Sequence, residues 1–248
     1  MPPSLATLAR ATRAGLSAAR TSEEVRRAHA DRRAMDLLVA ALLEQNDDAI
    51  DIGAHQGHLI RQILIAAPGG RHLAVEPVPD RALELRAALP HNVIVEEYAL
   101  TDDHDEGEME FLHLPHPTGW NGARTPAGAN GTAAPPFRRF QVRTISLDTL
   151  VERHGLAPRL IRIDVDGSEG LVLAGARRTI RHYQPALLVE HGNSLCHGGL
   201  GQSSSTFFHQ VTDLGLRIFD LDGQGPYDFD SFIRAVTGRR IVNYLLRP

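Results

Sequence analysis

A chain of 248 residues, 42% hydrophobic and 23% charged, has the composition of one ordinary soluble domain with enough length to bury a substantial core. A net charge of -4 and a pI near 6.3 exclude the electrostatic footprint of a nucleic-acid binder. The single cysteine, Cys196, excludes an internal disulfide framework and suits a reducing compartment, and no apolar run is long enough to span a bilayer. The expected location is the cytoplasm, and the oligomeric state, including a homo-oligomer, is left open.

The first twenty residues carry Arg10, Arg13 and Arg20 without an acid, but no apolar signal core follows. Leu5, Leu8, Ala9 and Leu16 fall near helical spacing, so 1–46 reads as a helical segment ahead of a domain at 47–248. Thr21, Ser22, Glu23 and Glu24 match a capping box. Met35, Leu38, Val39, Leu42 and Leu43 then form one helical face, expected to cover a sheet edge or a ligand cleft. A strand follows from Ala49, with Ile50 and Ile52 as buried positions. Gly53 and Gly57 make a turn, and Leu59, Ile60, Ile63 and Leu64 open a helix that stops at Pro68. Strands at 72–76 and 92–97 flank a helix containing Ala82, Leu85 and Leu89, which gives βαβαβ and a parallel sheet with right-handed crossovers.

From 98 to 141 the regularity fails. Residues 108–114 alternate like an edge strand, and the long loop 115–136, rich in proline and glycine, reads as a lid or substrate wall anchored by Trp120. A strand at 140–145 and a short helix at 146–152 precede a fourth core strand at 160–165. A helix from 169 to about 182, a strand at 185–190, a polar loop at 192–205 and a helix at 206–214 come next. Strands at 216–221 and 241–246, joined by a polar segment, suggest a closing antiparallel hairpin at the sheet edge. The fold class is α/β, a Rossmann-like and mostly parallel sheet with helices on both faces.

The strand ends hold the chemistry. Asp51 lies just ahead of the glycine turn, where it would repel a pyrophosphate and attract an ammonium or sulfonium. Its D-x-G-x-x-x-G spacing favours S-adenosylmethionine over NAD. Glu76, at the end of the second strand and stiffened by Pro77, is placed to reach ribose hydroxyls. Asp164, Asp166 and Glu169 surround Gly167 at the fourth strand end. That density fits a wall near a cationic ligand, a hard divalent ion such as magnesium held by Asp164, Asp166 and Glu190, or a capped helix start. Glu190 and His191 end the fifth strand and are candidate substrate contacts, and His191 is the best single candidate for a general base. His113 and His116 beside Pro115 could also face the site, but no zinc-ligand spacing is present.

With these motifs in view, the sequence resembles the FkbM family of S-adenosylmethionine-dependent methyltransferases. The resemblance rests on 50–57 (IDIGAHQG), 75–77 (VEP), 99–102 (ALTD), 146–150 (SLDTL), 161–169 (IRIDVDGSE) with 173–176 (LAGA), and 185–190 (PALLVE). It implies a seven-stranded class I sheet and methyl transfer, usually to oxygen on sugars, polyketides or other secondary metabolites. Carried over, Asp51, Gly53, His55 and Gly57 would hold the methionine part of the cofactor, Glu76 with Pro77 its ribose, and Asp164 its neighbourhood. Asp164 or Asp166 would serve as alternative bases to His191. The chain departs from the family pattern at His55, where Asn is usual, at His58, where an aromatic residue is common, and at Asp166, where Glu is usual. An NAD(P)-dependent oxidoreductase and a non-catalytic cofactor-binding module of the same fold are the rival readings.

Overall fold

Strands buried on both faces need apolar residues at odd and even positions alike, and the central strands have them. In the computed structural model, which describes residues 22–113, 121–122, 138–191, 203–238 and 243–248, seven strands form one sheet in the order β10-β11-β9-β8-β1-β2-β3. These are β1 (Asp48–Ile52), β2 (His72–Val75), β3 (Val93–Glu96), β8 (Pro158–Ile163), β9 (Ala186–Glu190), β10 (Arg217–Asp220) and β11 (Asn243–Arg247). β8, β1, β2, β3 and β9 run parallel, and β11 is antiparallel to both β9 and β10. The expected hairpin is therefore present, with its antiparallel strand one place in from the edge.

Each face has its own core. Ile50, Ile52, Leu73, Val75, Ile161, Ile163, Leu187, Val189, Tyr244 and Leu246 point to one side. There they meet α4 (Leu147–His154), α5 (Glu169–Ala174), α6 (Arg177–Tyr183), α7 (Ser204–Asp213) and α8 (Phe229–Thr237). Ala49, Ala74, Leu160, Leu188 and Leu245 point to the other, against α1 (Ser22–Leu42), α2 (His58–Ala66) and α3 (Pro79–Ala88). The apolar face read from sequence on α1 is the one that docks: Val39 and Leu43 are buried, and Met35, Leu38 and Leu42 pack beside them. α1 touches α2 and β8 rather than a sheet edge. Its Asp31, buried, accepts a hydrogen bond at 3.1 Å from Asn243 Nδ2 on β11.

Three local expectations are corrected. The strands at 108–114 and 140–145 do not edge the main sheet. They form a second sheet, β4 (Ala99–Leu100), β7 (Arg138–Ile145), β5 (Gly107–His113) and β6 (Asn121–Gly122), around Val78, Phe111 and Val142. The helix from 169 breaks into α5 and α6. At Gly175 a side chain would lie 2.1 Å from the Thr101 carbonyl, and the Gly175 carbonyl accepts the Asp148 N–H instead of continuing a helical ladder. The segment between β10 and β11 is not merely polar. Phe229, Phe232, Ile233 and Val236 recur at helical spacing, and Asp228 caps α8 through the Ser231 N–H.

Asn243→Ala should leave the buried Asp31 carboxylate short of a donor and cost about 1.5–3 kcal/mol. Urea unfolding checks this, and an unchanged midpoint would show that the α1–β11 bond carries no stability.

Candidate active site

The parallel register sets the site. β1 and β8 pair Asp51 opposite Arg162, so an acid and a guanidinium share one face at neighbouring strand ends. Asp51 is fully buried. Its Oδ2 accepts the Ile60 N–H at 3.1 Å in the first turn of α2, and its Oδ1 lies 3.4 Å from Arg162 Nη1. The same Nη1 donates to the Gly53 carbonyl at 2.9 Å, and Nη2 donates to Asp164 Oδ2. Burial pushes the Asp51 carboxyl above the ordinary carboxylate range, against the opposing pull of Arg162. Burial would lower the Arg162 guanidinium, but Asp164 and Asp51 outweigh it.

The glycines serve this packing. Gly53 has φ +77°, and a side chain there would lie 1.9 Å from the Asp164 carbonyl oxygen. Only glycine lets the turn after β1 and the loop after β8 approach so closely. Gly57, at φ +75°, leaves room for Leu85 and Arg61. At both positions the space of the missing side chain is taken by protein. His55 sits between them in left-handed backbone, φ +50°, a conformation that asparagine adopts more readily than most residues.

Glu76 is buried beyond β2. Its Oε2 accepts the His55 N–H at 2.9 Å and its Oε1 the Val78 N–H at 2.9 Å, so one carboxylate clamps the glycine turn to the start of α3 across Pro77. Burial raises its carboxyl above the ordinary range, against those two bonds. Glu190, at the end of β9, is raised to about 8, chiefly by the charge of Asp164 and then by burial, with Arg162 opposing. Asp166 and Glu169 add to the rise. Asp51, Asp164 and Glu190 thus converge on Arg162, and Asp166 (φ +51°) and Gly167 (φ +104°) turn the loop beside them.

His191 faces the other side of the sheet. It is 2% exposed, with its ring stacked on Phe207 at 4.0 Å and 6°. Its Nε2 lies 3.2 Å from Ser204 Oγ in the first turn of α7, and its Nδ1 lies 3.8 Å from Glu169 Oε2. Glu169 is also buried, and its Oε1 accepts the Gly167 N–H at 2.8 Å, fixing the loop after β8. Asp51, Gly53, His55, Gly57, Glu76, Pro77, Asp164, Asp166, Glu190 and His191 therefore all gather at the carboxyl ends of β1, β2, β8 and β9. Trp120, His116 and the His113 side chain lie outside the described residues. Among the described residues no group of three or more His, Cys, Asp or Glu is disposed to hold a metal, and Asp164 is bound to Arg162.

Arg162, Glu169 in its tie to His191, and Ser204 were not assigned from sequence. The signal for Arg162 was there: one charged residue inside the apolar run 160–163, two positions before Asp164 and on its face. Nothing local announced Ser204, because its role depends on how α7 packs.

The sheet is of the doubly wound α/β class, with its glycine turn and acids outside the strand carboxyl ends, the crevice where ligands of such sheets commonly lie. The chain belongs to the FkbM methyltransferase family, matching the methyltransferase FkbM domain over residues 51–214, more than half its length. No curated protein matches the sequence. Among solved structures, it is similar to the methyltransferase FkbM of Methylobacillus flagellatus KT, with 14% identity, a TM-score of 0.49, and coverage of 83% of this chain and 44% of that one. The chain thus spans less than half of that protein. It is also similar to Aeropyrum pernix fibrillarin in complex with natively bound S-adenosyl-L-methionine, with 14% identity, a TM-score of 0.46, and coverage of 88% and 74%. No helix among the described residues is long and apolar enough to cross a membrane.

The raised carboxyls make stability depend on pH. A folded Glu190 near 8 holds a proton that the unfolded chain, at an ordinary 4.5, releases. The linked stabilisation is full below about pH 4.5 and is lost as pH rises through about 8, and Asp51 and Glu76 act in the same direction. Thermal melts should show Tm falling between these limits and a flatter profile for Glu190→Gln. A variant profile that superimposes on the native one would show that Glu190 is not the group responsible.

Proposed function

We propose that the chain is an S-adenosylmethionine-dependent methyltransferase acting on a hydroxyl oxygen of a small acceptor, a sugar, polyketide or other secondary metabolite, in the cytoplasm. One observation carries this reading: Asp51, Asp164 and Glu190 converge at the strand ends on the single guanidinium of Arg162. With Glu190 holding its proton at neutral pH, Asp51 and Asp164 still outnumber the one guanidinium, and that negative balance suits a ligand bearing ammonium and sulfonium groups. It disfavours a pyrophosphate, and with it the dinucleotide oxidoreductase reading.

Glu76 spends one lone pair of each oxygen on a main-chain N–H, which orients it and leaves acceptor capacity for two ribose hydroxyls. The turn 53–57 would hold the methionine part, with Asp51 supplying its field from beneath. When bound, the cofactor supplies a methyl carbon already activated by sulfonium. The protein's remaining task is to align the acceptor and take its proton.

His191, enclosed against Phe207, acts through the partly exposed Ser204. The acceptor proton passes to Ser204 Oγ while Ser204 passes its own to His191 Nε2, and Glu169 favours the resulting imidazolium from the Nδ1 side. Asp164, tied to Arg162, serves as part of the cleft wall, and Asp166 and Glu190 line the acceptor side.

Calorimetric titration with S-adenosylhomocysteine tests the cofactor reading, with NADH as control. Micromolar binding of the first ligand alone is expected, and Glu76→Ala should weaken it about ten-fold or more. Binding of NADH alone would overturn the proposal, and unchanged affinity in Glu76→Ala would remove Glu76 from the site.

The proton path has its own readout. His191→Gln and Ser204→Ala should each lower kcat by about 10²-fold, leave cofactor affinity unchanged and remove the acidic limb of the kcat profile against pH. A limb retained in both variants would rule the path out.

A further inference from the structure

The opposite end of the sheet holds a second concavity that the methyltransferase reading does not use. A pocket of about 460 Å³ is bounded by Arg159 at the start of β8, Ala186 at the start of β9, Arg217 and Phe219 on β10, Arg247 on β11, and Leu42 and Tyr183 at the ends of α1 and α6. Arg159 is five residues before Asp164, roughly 16 Å along an extended strand, so this pocket and the acidic cleft are separate.

Arginines dominate its charge. No Asp or Glu side chain lines it, and among the described residues Arg159 and Arg247 form no ion pair, while Arg217 is bound to an oxygen of Pro248, which also lines the pocket. Arg217 and Arg247 are also direct partners in the antiparallel register of β10 and β11. Like charges directly opposite on adjacent strands repel, so the sheet carries an unfavourable pair where the pocket opens. An oxyanion between the two guanidinium groups would reverse the sign of that interaction, and the planar fork of arginine suits phosphate and carboxylate oxygens.

The fork is partly set in advance. The Pro248 main-chain oxygen accepts from Arg217 Nε at 3.2 Å and Nη2 at 2.6 Å, and the guanidinium carbon lies 5.9 Å from the Phe219 ring centroid. Phe219, Tyr183 and Leu42 give the remaining wall an apolar and aromatic character. The volume is that of a small-molecule site.

We propose that this pocket binds a small organic phosphate whose phosphoryl group is held by Arg159, Arg217 and Arg247 and whose flat apolar part lies against Phe219 and Tyr183. The site stands independently of the activity assigned to the other end of the sheet.

Calorimetry on the full chain at low ionic strength, with the acidic cleft saturated by S-adenosylhomocysteine where it binds, tests the proposal. The probes are phenyl phosphate, inorganic phosphate and benzyl alcohol. Saturable one-to-one binding of phenyl phosphate is expected, about ten-fold tighter than inorganic phosphate, with no binding of the alcohol. Arg159→Glu, an exposed reversal with no bond to disturb among the described residues, should abolish it, and Arg247→Gln should weaken it about ten-fold or more. Unfolding midpoints confirm that both variants fold. No saturable binding of phenyl phosphate, equal affinity for inorganic phosphate, or binding unaffected by Arg159→Glu would each overturn the proposal.

Discussion

The guanidinium of Arg162 is the constraint on which the upper half of the fold depends. It bonds to the Asp51 and Asp164 carboxylates and to the Gly53 carbonyl, so it ties together the end of β1, the glycine turn and the loop after β8. Asp51 passes the tie on to α2 through the Ile60 N–H. A buried charge cluster of this kind is weak evidence for net stability, because desolvation offsets attraction. Its value lies in geometry. Loss of the one cation would strand two carboxylates, at a cost of about 3–5 kcal/mol for a broken buried pair, so the elements keep a single arrangement. That arrangement also leaves the acids in excess at the place where the doubly wound topology brings a ligand.

The two faces of the sheet divide the work. On the α1–α3 face, the polar residues Asp51, Arg162 and Glu190 continue an apolar stripe of Ala49, Leu160 and Leu188, and the Asp31–Asn243 bond fastens α1 over it. On the other face, His191 lies in an aromatic stack with Phe207 and Phe232, itself against Tyr244. Glu169 joins the two systems. One oxygen holds the Gly167 N–H in the loop that carries Asp164 and Asp166, and the other faces His191. Glu169 thus stands between the aromatic stack and the loop beside the acids.

Much of this was legible in the sequence because its signals are local. The glycine turn, the strand-end acids and the apolar period of α1 are each set by neighbours within a few residues, and the structure places them where the pattern puts them. The second sheet was missed because its strands, at 99–100, 107–113 and 138–145, are joined by long-range pairing that no window contains. α8 was a misreading of a signal that was present, since Phe229, Phe232, Ile233 and Val236 have the right period behind the Asp228 cap. Arg162 shows the remaining limit. Its position announced a buried charge, but its partner Asp51 lies 111 residues away and is found only through strand register.

The sheet also separates charge along its strands. Carboxylates crowd the end where β1, β2, β8 and β9 finish, and arginines crowd the end where β8, β9 and β10 begin. Helix dipoles explain part of this. In βα units the positive helix N-termini lie at the acidic end, and the C-termini of α1 and α6 lie beside the arginines. That effect is worth about 0.3–1 kcal/mol per charge and fades within a turn. It does not account for Arg217 standing directly across from Arg247, where Arg217 is held by the Pro248 oxygen and Arg247, exposed, has no bond among the described residues. The same strand direction that gathers acids at one end of the sheet leaves arginines beside helix C-termini at the other.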